Sequence, residues 1–109
     1  MAEVGWYRPQ DIFQLRAEFG WFGGFIWRRV VVTVEPDRLL IEGTDTNIRL
    51  ERPQIETVTE HRALLSHRFS WIDHNGPTDR CLHVSRPGGF RSALELAGWP
   101  VEARPWRVR

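Results

Sequence analysis

From residue 12 to residue 85 apolar and polar positions alternate with period 2, and turn residues interrupt the alternation at short intervals. That pattern predicts a β sandwich or barrel rather than helices. The clearest case lies around Gly23-Gly24, a two-residue hairpin turn in which glycine supplies positive φ without a Cβ clash. A fold there sets Phe13, Leu15 and Ala17 opposite Val34, Val32 and Val30 on one apolar face. The other face pairs Gln14 with Thr33, Arg16 with Val31 and Glu18 with Arg29. One turn thus reconciles two runs of opposite parity, as an antiparallel sheet over a core requires. A helix over residues 12 to 19 is the competing reading, because Ile12, Leu15 and Phe19 also fall on a helical stripe.

Further strands follow. Glu35-Pro36-Asp37-Arg38 reads as a type I turn with proline in second place, feeding Leu39-Leu40-Ile41. Gly43-Thr44-Asp45 leads to Ile48-Arg49-Leu50, and Pro53 separates that strand from residues 54 to 59. Phe69 and Trp71 alternate with Arg68 and Ser70 before the turn His74-Asn75-Gly76-Pro77. Leu82 and Val84 make the last strand. After Pro87 the period changes. Phe90, Ala93, Leu94 and Ala97 share a helical stripe, and Gly98 with Pro100 ends it. The tail from Arg104 to Arg109 reads as irregular, with Trp106 as its anchor.

Strands followed by one closing helix are the order of elements in pleckstrin-homology-like (PH-like) domains. The chain resembles the small bacterial PH-like family in residues 32–41 (VTVEPDRLLI) and 90–101 (FRSALELAGWPV). The resemblance implies an antiparallel β barrel or sandwich of about seven strands with one C-terminal helix. One domain is expected over residues 1–109, with its core at about 11–101 and a tail at 102–109. The resemblance points to a binding or scaffolding module rather than an enzyme. Members of the family that bind phosphoinositides carry Lys and Arg on the first hairpin; this hairpin carries aromatics.

Composition narrows the partners. Fifteen basic against fourteen acidic residues leave a net charge of +1, so no global field draws nucleic acid or anionic lipid. Every basic residue other than histidine is an arginine; this reads as codon bias rather than selection for anion binding. The single Cys81 lies in an apolar run and reads as a buried thiol in a reducing compartment. No apolar run reaches membrane-span length, and the start Met1-Ala2-Glu3-Val4 lacks a basic signal-peptide region. These features predict a cytoplasmic protein.

Candidate chemistry concentrates in Phe19-Gly20-Trp21-Phe22-Gly23-Gly24-Phe25-Ile26-Trp27-Arg28-Arg29. Trp21 and Ile26 continue the apolar face, whereas Phe22, Phe25 and Trp27 project to the other side. Trp27 falls opposite Gly20, where a ring can cover the bare backbone. Three aromatics carry roughly 450 to 750 Å² between them, a patch as large as monomers usually expose. The cover is the chain's own tail through Trp99 and Trp106, a protein partner or second copy, or, weakly, a membrane surface beside Arg28 and Arg29. Phe22, Phe25 and Trp27 are therefore the candidate partner-binding residues. Arg28, Arg29 and Arg38 are a weaker anion-binding set, because Glu18, Glu35 and Asp37 stand ready to pair with them.

Other chemistries lack support in the pattern. His61, His67, His74 and His83 with Asp73 are the only ligand-type set, and nothing has CxxC or HExxH spacing, so no metal or cofactor is expected. Neither a nucleophile elbow, a P-loop nor GxGxxG is present. No ladder of basic residues interleaved with aromatics is visible along the chain, which argues against nucleic acid.

Overall fold

The computed structural model describes residues 13–21, 26–62 and 67–105, the last of these through its backbone. The fold is mainly β with one helix near the C-terminus. In chain order the elements are β1 (Phe13–Trp21), β2 (Arg28–Val34), β3 (Arg38–Glu42), β4 (Asn47–Glu51), β5 (Ile55–Arg62), β6 (His67–Asp73), β7 (Gly76–Pro77), β8 (Arg80–Val84), α1 (Pro87–Leu96) and β9 (Val101–Pro105). A single-turn 3-10 segment, Arg52–Gln54, joins β4 to β5. One nine-stranded sheet runs in the order β4-β3-β2-β1-β8-β6-β5-β9, with β7 beside β6. It is not closed, and its curvature gives a sandwich-like or barrel-like body.

Residues 13 to 19 form strand, not helix, and the expected register holds: Phe13 faces Val34, Leu15 faces Val32, Ala17 faces Val30 and Glu18 faces Arg29. The Gly23-Gly24 turn lies outside the described residues. β1 is long enough to serve two partners, pairing with β2 over its first part and with β8 from Ala17 to Trp21. It therefore carries the first meander into the second.

The inward-facing residues form one core, with Val32, Ile41, Phe69 and Leu94 among its most deeply buried members. Helix α1 closes one end of this core. Phe90 meets Phe69 edge-on, ring centroids 4.7 Å apart. The helix stops through a paired closure: Gly98 N–H donates to Glu95 O at 3.0 Å and Trp99 N–H to Leu94 O at 2.9 Å. Gly98 takes φ +88°, the left-handed conformation this closure requires.

Two expectations change. The segment after Pro100 is not an irregular tail through Arg104 and Pro105; Val101 to Pro105 pair in parallel with β5 from Val58 to Arg62. A mostly exposed strand with a parallel partner leaves little alternation to read. With the two-residue β7 it raises the count from about seven to nine. Both sheet edges are charged: Arg49 pairs with Glu51 on β4, and Arg104 with Glu102 on β9. Such edges discourage further strand pairing.

The second change concerns Trp99. It does not reach toward the first hairpin. It is buried at the other end of that hairpin's strands, its indole Nε1 donating to Glu35 O at 2.7 Å. The guanidinium of Arg52 lies over its ring at 5.3 Å and donates to Gly98 O at 2.7 Å. Trp106 lies outside the described residues.

Candidate functional site

The core ends at Phe19, whose ring stacks on Trp71 with centroids 6.3 Å apart. Beyond it β1 and the chain entering β2 overhang. Trp21 pairs with Arg80, the first residue of β8. Alternation placed Trp21 and Ile26 on the core side, yet they are 49% and 73% exposed. Arg80 spreads its guanidinium over both Trp21 and Phe19, at 4.8 and 5.8 Å from the ring centroids. Arg28 reaches Asp45 of the β3–β4 loop at 2.9 Å. Together these groups line an open cleft of about 410 Å³.

The predicted residues are distributed unevenly over this end. Phe22 and Phe25 lie outside the described residues. Trp27 covers Gly20 as expected: a Cβ built there would stand 3.0 Å from its ring. The ring is only partly accessible, because Arg68 lies over it at 5.1 Å and His83 is tilted against it at 6.2 Å. Arg28 and Arg29 point to opposite sides of β2, as successive strand residues do. Arg38 sits at the far end of β2, roughly 20 Å away at the usual strand rise. There Glu35 accepts its Nε–H at 2.9 Å, a hydrogen bond that raises the guanidinium pKa further. The three arginines therefore do not converge, and each has a carboxylate within the fold's reach.

The outer face carries an arrangement that no local pattern announced. Cross-strand neighbours run without a break through Arg29, Glu18, His83, Arg68, His61 and Arg104, on β2, β1, β8, β6, β5 and β9. Directly opposed residues share a face, so five basic side chains and one carboxylate form a row across six strands. Glu18 meets His83 Nδ1 at 3.4 Å. At the β2 end, Arg16, Glu18, Arg29, Val31, Glu42 and His83 line a cleft of about 580 Å³. Two arginines against two glutamates give this larger cleft little net field.

Two nucleophile-type side chains also lie on this face. Ser70 Oγ is 2.8 Å from His61 Nε2. The imidazole is held below its usual range, first by burial and then by the charges of Arg104 and Arg68. A base that must become imidazolium during acyl transfer is helped by a neighbouring carboxylate and opposed by cations. Cys81 is fully buried, and burial pushes its thiol up to about 11. It should be inert toward a chromogenic disulfide reagent at neutral pH and react at the free-thiol rate once urea unfolds the chain. Fast native-state reaction would show that the thiol is reachable. Among the described residues, no three His, Cys, Asp or Glu side chains gather to hold a metal ion. No helix among them is long and apolar enough to cross a membrane.

No family model and no curated protein matches the chain. The described residues present an apolar patch rimmed by both charges beside Trp21 and a mostly basic row across the outer face.

Proposed function

We propose that this chain is a non-enzymatic, PH-like binding module, cytoplasmic and without a cofactor, whose hairpin end docks against a second copy of itself. The order of elements supports the PH-like reading: a four-strand meander, a second set of strands joined to it through β1, then a helix near the C-terminus, here followed by β9. The observation that carries the contact is the exposure of two large apolar side chains, Trp21 at the end of β1 and Ile26 just before β2. Covering such side chains is worth about 1.5–3 kcal/mol each. Buried aromatics dominate interface energetics. The rim favours a second copy over a partner of one charge sign. Arg80, Arg28 and Asp45 bring both signs to one patch, and a two-fold contact requires a self-complementary surface.

Light scattering behind size exclusion, run over a wide concentration range, tests this. The wild type should shift from monomer to dimer as concentration rises. The Trp21→Ser/Ile26→Ser variant should remain monomeric while melting like the wild type when dilute, a loss of at least about 2 kcal/mol in association. A wild type that stays monomeric at every concentration overturns the reading. If it also binds anionic vesicles in a salt-sensitive way, the hairpin end is a membrane contact instead.

A further inference from the structure

We infer that the cleft on the outer face of β1, β2 and β3 holds a short peptide with both termini free. The site is separate from the hairpin end and does not depend on the contact proposed there. In register, Val31 of β2 has Arg16 opposite on β1 and Glu42 opposite on β3. Directly opposed residues share a face. All three side chains are exposed, and all three line the cleft of about 580 Å³. A cation and a carboxylate thus stand two strand spacings apart, roughly 10 Å at the backbone, with an apolar side chain between them. Among the described residues, no ion pair or side-chain hydrogen bond engages Arg16 or Glu42. The neighbouring row is already matched: Arg29 stands opposite Glu18, which meets His83 Nδ1 at 3.4 Å.

The ligand class follows from these charges. Arg16 and Arg29 balance Glu18 and Glu42, so the cleft favours neither a plain anion nor a plain cation. A molecule without net charge, whose opposite charges sit at separated ends, matches it. An extended peptide advances about 3.4 Å per residue, so about three residues reach from one charge to the other. A free amino acid, with both charges on one carbon, is too short. The peptide's carboxylate meets the Arg16 guanidinium through paired, charge-assisted hydrogen bonds. Its ammonium meets the Glu42 carboxylate, and an apolar middle residue lies on Val31. Gly43 shapes the Glu42 end: a Cβ there would stand 2.6 Å from Arg29 O, so glycine lets the β3–β4 loop lie close to β2. Thr44 beside it adds a hydroxyl to the lining.

NMR chemical-shift titration of the isotope-labelled protein with alanyl-valyl-alanine reads this directly. Saturable shifts should centre on the amides of Arg16, Val31 and Glu42 and leave Trp21 unmoved. The N-acetylated and C-amidated forms of the tripeptide each lose one charged end. Each should bind at least about tenfold more weakly, as losing one charge-assisted hydrogen bond does. Two variants at exposed positions then assign the ends without touching the core. Arg16→Gln should no longer distinguish acid from amide, while still preferring the free amine over the acetylated form. Glu42→Gln should show the reverse, blind to acetylation and sensitive to amidation. An absence of saturable shifts, or equal binding of all three peptides, overturns the proposal. Weakening on amidation alone also overturns it, because the cleft would then be a simple carboxylate pocket. If Arg16→Gln keeps the full preference for acid over amide, the carboxylate lies elsewhere and the assignment fails.

Discussion

Replacing Leu94 with alanine should lower the unfolding free energy by about 2–4 kcal/mol. Leu94 is fully buried, and on its stripe Phe90 meets Phe69 edge-on. Its carbonyl also accepts the Trp99 N–H that ends the helix. Ten residues of helix are too few to persist alone in water, so α1 exists by virtue of this packing. Truncating Leu94 leaves a cavity under an element that cannot collapse into it without loosening Trp99 and its bond to Glu35 O. Urea melts should show a lower midpoint at an unchanged slope, the signature of altered stability rather than altered compactness. Leu96→Ala is the control, because Leu96 is 82% exposed and its loss should stay within about 0.5 kcal/mol. A Leu94→Ala loss below about 1 kcal/mol would mean the helix is peripheral.

Local pattern carried the first hairpin and the helix because each wrote two independent marks into the chain. The β1–β2 register needed both an alternation that changes parity and a turn that restores it, and Phe13 to Ala17 satisfied both. The helix had its stripe and its Gly98 stop. Alternation assigns a side chain to a face, but not to a position over the core. Trp21 and Ile26 lie on the cleft beyond Phe19, the last core residue of β1, and are exposed. β9 left no trace in the pattern because its partner β5 is parallel and its own side chains are mostly exposed. The basic row was equally hidden. His61 and Arg68 face each other across one hairpin, but only pairing between non-consecutive strands brings His83 and Arg104 abreast of them. Trp99 looked like a spare aromatic after a helix, yet it is a structural pin whose partners, Glu35 and Arg52, lie far upstream.

Glu60 leads to the other large effect. Its side chain is 2% exposed, and Arg62 and Arg91 both reach Oε1, at 3.2 and 3.1 Å. His67 stands 3.9 Å from Oε2. Arg91 comes from α1, so this carboxylate ties the helix to β5 as well as neutralising itself. The Arg62→Ala/Arg91→Ala variant strands a buried carboxylate and should cost about 3–5 kcal/mol, because its desolvation is no longer offset. Replacing the carboxylate should be far milder. Both arginines are partly exposed and can turn to water, while methionine refills the volume, so Glu60→Met should lie within about 1.5 kcal/mol of the wild type. Chemical melts of the three variants, with the triple variant closing the cycle, isolate the coupling. In the triple variant no buried charge remains, so it should recover most of what the double arginine variant lost. If the double variant melts like the wild type, water already reaches Glu60, and hydrophobic packing of Phe90 and Leu94 alone holds the helix down.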